Sequence, residues 1–205
     1  MLALSFGTDA EREHALHGIR TIHTRVHGHL TQTVGVFPAG TPYSAEDPAL
    51  VLWVHLTLLE SIPLAYERFI GPVSAADRDA YCAESSWVPI SLGARPADVP
   101  VTWMHASDQL SRMYTSGTLA VGNQARELAA AVLAPRMTRF VPPVASWNRS
   151  LSIGLLPDSI RSKYGLSWND TDQRRFERAV QRVRALRRAV PEFIALWPEA
   201  RAYLP

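Results

Sequence analysis

His55 stands in the run Leu50-Val51-Leu52-Trp53-Val54-His55-Leu56-Thr57-Leu58-Leu59, a nearly uninterrupted apolar stretch. On a helix, Val51, Leu52, Leu58, Leu59 and Ile62 lie three, four or seven residues from it and share its face. A buried imidazole without a partner costs about 1–3 kcal/mol. Desolvation lowers its pKa and keeps it neutral. A neutral imidazole on an apolar wall suits an iron porphyrin, which is largely apolar and whose metal takes a nitrogen ligand. The residues alone leave a second reading open, in which His55 is a core histidine bonded to a carbonyl or a polar side chain.

A second set of candidates lies earlier. At about 100° per residue, Ala15, Ile19, Ile22 and Val26 form one apolar arc of a helix. Arg20, His23, Thr24 and His27 form an arc beside it, with His23 nearest the border. Such a face could line a polar-edged pocket or could be solvated. His23 and His27 also have the i,i+4 spacing that chelates zinc or non-haem iron, with His55 as a third ligand. No glutamate sits between these histidines, so the zinc-protease motif is absent.

The elements that must hold these residues read as helices. Thr8 and Glu11 have the form of a capping box, opening a helix from about Asp9 to Val26 or His27. The preceding residues 1–7 read as the tail of a helix ending at Gly7. Residues 29–46, rich in Gly, Pro and Thr, read as a long loop. Asp47-Pro48 starts a buried central helix over 49–70, with a kink expected at Pro63. Further helices are expected from Ser74 to Leu92, at 102–115, 123–134, 148–163 and 170–189, and a short one at 191–203. Pro135, Pro142 and Pro143 are expected to break the chain between them. No strand alternation or repeat is visible. The expected fold is all-α, a compact bundle of about seven to nine helices around 49–70, and a single domain over 1–205.

Composition excludes several classes. The chain has 205 residues, 47% of them hydrophobic and 20% charged, which are globular values. A net charge of +2 gives no sign of a nucleic-acid partner. One cysteine, Cys82, rules out an internal disulfide framework or a cysteine-rich metal site. The longest apolar candidate, 49–59, carries His55 and meets Glu60, short of the roughly 20 residues of a membrane span. The cytoplasm is the expected compartment. The arginine-rich segment 174–188 is amphipathic. Its Phe176, Val180, Val183 and Leu186 stripe should pack on the core, with contact to an acidic membrane surface, an acidic partner or RNA as the weaker alternatives.

Together these pieces resemble a known family. Phe6-Gly7-Thr8-Asp9-Ala10-Glu11, Arg20-Thr21-Ile22-His23, Val26 and Gly28 are similar to its first block. Tyr43-Ser44-Ala45-Glu46-Asp47-Pro48, Leu52-Trp53-Val54-His55-Leu56-Thr57 and Tyr66-Glu67-Arg68-Phe69 form a more specific one. Gly154-Leu155-Leu156-Pro157 and Tyr164-Gly165-Leu166 resemble its C-terminal part. This is the domain shared by latex clearing proteins and the oxygenase B of mycophenolate biosynthesis.

The resemblance implies a helical bundle holding haem b, with His55 as proximal iron ligand and Leu52 and Leu59 as cofactor contacts. Rubber-cleaving members carry an Arg-x-x-Lys-Thr pattern. Here it reads Arg20-Thr21-Ile22-His23-Thr24, so His23 is the candidate distal iron ligand. Arg20, His23 and Thr24 are then candidate catalytic residues, Arg20 also pairing with a haem propionate. The implied activity is oxidation or cleavage of a small apolar, isoprenoid-like substrate by dioxygen. The chain is expected to lack helices that precede this block in the family. The alternatives are a haem-free helical scaffold and a non-haem metal enzyme using His23, His27 and His55.

Overall fold

The structure, a computed structural model, describes residues 2–133 and 142–190. The described residues form α1 (Leu2–Phe6), α2 (Asp9–His23), β1 (His27–His29), β2 (Pro42–Ser44), α3 (Pro48–Phe69), α4 (Ala75–Ser85) and α5 (Trp87–Ser91). After these come α6 (Trp103–Thr115), α7 (Asn123–Leu133), α8 (Pro142–Gly154), α9 (Asp158–Tyr164) and α10 (Asp170–Ala189). The all-α expectation holds. The described α-helices number ten, two of the expected helices each being divided. Ser86 turns both its N–H and its hydroxyl back to the Ala83 carbonyl and closes α4 before α5 begins. Pro157 separates α8 from α9 within the expected 148–163.

Local chemistry sets several boundaries where the sequence put them. Thr8 and Glu11 form the capping box, the Thr8 N–H donating to the Glu11 carboxylate at 2.8 Å. Ser74 and Asp77 form another at α4. Asp47 accepts from the Ala49 N–H at 2.8 Å, and Pro48 fills the first position of α3. Pro63 is carried inside α3 without ending it. Pro142 opens α8 instead of breaking the chain, as a proline at a first helical turn can. The expected helix at 191–203 and the break at Pro135 lie outside the described residues.

Two expectations need correction. The segment 29–46 is not wholly loop: β1 and β2 pair antiparallel, with Gly28 opposite Tyr43. A Cβ on Gly28 would stand 3.0 Å from the Tyr43 hydroxyl, so the close pairing favours glycine. Strands of three residues are too short to show alternation. Helix α3, at 22 residues, is also long and apolar enough by length and composition to cross a membrane, because it runs on past His55 and Glu60.

The core forms on one side of α3. Leu56 and Leu59 pack with Cys82 of α4 and with Ala106 and Leu110 of α6, flanked by Leu52, Trp53 and Trp103. Cys82 is fully buried. On α10, Phe176, Ala179 and Val180 are buried, and the helix packs on α8 and α3. The expected stripe is shorter than it reads: Val183 is half-buried and Leu186 is 64% exposed. Arg184 turns inward, donating from Nε to the Arg68 carbonyl and from Nη2 to the Glu67 carbonyl, both at 2.7 Å. These are terminal carbonyls of α3, which lack intrahelical donors.

Candidate functional site

His55 is buried on α3, at 6% exposure, and is the one buried polar or charged residue of the described chain. Its Nε2 is sealed from solvent and meets no hydrogen-bond partner among the described residues. The carbonyl-bonded alternative therefore has no counterpart at this nitrogen. Burial pushes the imidazole pKa down to about 4. The ring is thus a neutral base at ordinary pH, with a lone pair or a proton that nothing uses.

The residue also borders open space. His55 lines a cavity of about 570 Å³, together with Leu58 of the same helix, Phe6 of α1, Arg12 of α2, Tyr81 of α4 and Trp87 of α5. That volume lies within the range of cofactor and small-molecule sites. The walls are mostly apolar or aromatic. Burial also raises the Tyr81 phenol above its ordinary pKa. Arg12 is the cation of the lining, and its Nε, like His55 Nε2, is buried without a partner.

The opposite face of α3 borders a different chamber. Trp53, Thr57, Glu60 and Leu64 recur at helical spacing and line a cavity of about 410 Å³ with Tyr114 of α6 and Lys163 of α9. Tyr114 donates its hydroxyl to Glu60, and its ring meets Trp53 edge-on at 6.2 Å. Burial, then the Glu60 carboxylate, hold the Tyr114 phenol protonated far above its ordinary range.

The other sequence candidates sit elsewhere. Arg20 donates through Nε and Nη2 to the Ser91 carbonyl and through Nη1 to Glu13, joining α2 to the end of α5. Thr24 caps α2 and donates to the Thr21 carbonyl. His23 is half-buried on the last turn of α2. None of the three lines the cavity of His55. Leu59 is fully buried and Leu52 packs against the core, both beside His55 on α3 but behind the cavity wall.

The three-histidine arrangement is not formed. Helix α2 ends at His23, so His27 opens β1 and its Nδ1 contacts the Thr24 carbonyl at 3.0 Å, off the helical face expected for it. Among the described residues no group of three His, Cys, Asp or Glu side chains is placed to hold a metal.

Sequence reasoning missed Arg12, Tyr81 and Glu84 in the cavity lining. For Arg12 a signal existed. Leu16 is the buried residue of α2, so the inward face carries Arg12, Leu16, Ile19 and His23. The arc Ala15-Ile19-Ile22-Val26 was rotated away from it. Ile22 is 61% exposed, and Val26 lies beyond the helix end.

Comparison with known proteins agrees with the resemblance noted from the motifs. No solved structure matches the chain. The uncharacterised proteins Mb2261 of Mycobacterium bovis and Rv2237 of Mycobacterium tuberculosis are each 25% identical over 194 residues. These alignments cover 91% of this chain and 71% of each relative. Residues 1–185 match the family described as "ER-bound oxygenase mpaB/B'/Rubber oxygenase, catalytic domain". The chain therefore belongs to the mpaB/rubber oxygenase catalytic-domain family, a family of oxygenases.

Proposed function

We propose that this protein is a haem-dependent oxygenase in which His55 is the proximal ligand of haem b. The observation that carries the reading is the His55 Nε2, a neutral, buried and unpartnered nitrogen of a residue that lines a largely apolar cavity. An orphaned buried polar atom calls for an explanation, and a missing ligand is one of the few available. The residues present fit the group: a nitrogen for iron, apolar side chains for the porphyrin faces and a cation for its acidic edge.

Haem b, when bound, supplies the dioxygen chemistry, which in this family is directed at carbon–carbon double bonds of an apolar, isoprenoid-like substrate. The chain provides orientation and exclusion of water. His55 needs no deprotonation to ligate above about pH 4, so protons do not compete for the site at neutral pH. Leu58, Ile62 and Phe6 keep the surroundings apolar. Leu59, packed in the core one turn from His55, fixes the rotation of α3 and hence the direction of the imidazole.

Protein purified with haem supplementation should show a Soret band that shifts or disappears in His55→Ala. A protein without a Soret band, or with one indifferent to His55→Ala, would overturn the reading and leave the helical-scaffold alternative.

A further inference from the structure

Four buried side-chain atoms among the described residues have no hydrogen-bond partner: Arg12 Nε, His55 Nε2, Gln109 Oε1 and Ser150 Oγ. Two of the four belong to residues that line one cavity. Buried polar atoms are seldom left unpaired. That the two residues line one cavity points to one ligand that engages both, and their chemistry differs. His55 presents a neutral nitrogen, while Arg12 presents a permanent cation.

The state of the Arg12 guanidinium narrows the match. Its recorded bond runs from Nη1 to Asp9 Oδ1 at 3.3 Å, one helical turn back. Asp9 is fully exposed, so this pair is solvent-screened and weak. Neither Nε nor Nη2, the fork that can receive a carboxylate bidentately, has a hydrogen bond among the described residues. Glu84 also lines the cavity but forms no ion pair with Arg12. Arg20, the sequence candidate for an acidic partner, has spent the same edge on the Ser91 carbonyl.

We infer that Arg12 is the anion anchor of the His55 cavity, its Nε–Nη2 edge binding a propionate carboxylate of haem. This rests on the haem reading above. It makes Arg12 a cofactor-positioning residue: a ring ligated by α3 and held at its edge by α2 cannot turn in its plane.

The test titrates the full-length protein with haem and with haem dimethyl ester, which keeps iron and ring but lacks carboxylates. The Soret band and the quenching of tryptophan fluorescence, including Trp87 of the cavity, give the affinity. Wild type should bind haem about tenfold or more tighter than the ester, the scale of one charge-assisted pair. Arg12→Gln should bind haem about as weakly as the ester and bind the ester unchanged, and Arg12→Lys should recover part of the preference. Equal affinity of wild type for acid and ester, or an undiminished preference in Arg12→Gln, overturns the inference while leaving the haem reading intact. Wild type that binds neither compound overturns both. If circular dichroism shows that Arg12→Gln does not fold, the acid-against-ester comparison on wild type decides alone, since no other cation lines the cavity among the described residues.

Discussion

Gly154 at the end of α8 lies directly against the ring of Phe176 on α10: a Cβ at this glycine would stand 2.3 Å from Cδ2 and 2.6 Å from Cγ. Real side chains do not approach so closely, and Phe176 is buried at 2% exposure, so the ring has little room to withdraw. The contact sets the spacing of the two helices.

Gly154→Ala should therefore destabilise the fold by about 1–3 kcal/mol, the range for overpacking a close-packed site. In a chain of this size, thermal unfolding should drop by roughly 2–4 °C per kcal/mol. An unchanged melting temperature would mean that α8 and α10 can slide apart freely.

His55→Leu should abolish haem binding yet leave the haem-free protein more stable, by about 1 kcal/mol. An apolar side chain removes an unsatisfied buried nitrogen without emptying the site. Sites that bind ligands often carry such a stability cost. Denaturant midpoints of the two haem-free proteins measure it, and a marked loss of stability in the variant would show that the imidazole has a structural partner.

The acid response of the haem-free protein should carry the mark of His55. Its folded pKa of about 4 lies below its ordinary value of 6.5, so in that window the unfolded chain binds more protons than the folded one. The contribution is fully present above about pH 6.5 and lost as pH falls towards 4, by about 3 kcal/mol at most. The carboxylates of Glu11, Glu67 and Asp77 are all held below their ordinary values and act further down the scale. Urea midpoints between pH 4 and 7 should fall steeply in wild type and weakly in His55→Leu. Parallel curves would refute the assignment.

Arg184→Gln should cost about 1–3 kcal/mol, since it removes two charge-assisted bonds to carbonyls that end α3. Arg187→Gln, on the exposed side of α10, should stay within about 0.5 kcal/mol of wild type. Equal losses in both would mean that the basic helix contributes through overall charge alone.

What the sequence revealed was whatever local chemistry decides. Thr8 with Glu11, Asp47 with Pro48 and Ser74 with Asp77 fix helix starts through neighbours within three residues, and all three stand as caps. His55 was legible as the one ionisable residue of the run 50–59, four residues from Val51 and from Leu59 on one helix face. Arg12 was not, because the inward face of α2 depends on how α1 and the end of α5 dock against it. The ribbon of β1 and β2 was hidden for a similar reason. His27-Gly28-His29 has no strand preference of its own and pairs only because Pro42-Tyr43-Ser44 returns beside it.

Helix α3 divides two chambers, and this leaves little of its circumference for the core. Its firm contacts run along the arc of Val51, Leu52, Leu56, Leu59 and Pro63. A rod gripped along one seam would swivel about its axis if its ends were loose. Asp47 fastens the first turn and Arg184 clasps the last, as bearings hold an axle. Wear at either bearing should be felt as misalignment of an imidazole several turns from it, well before the bundle comes apart.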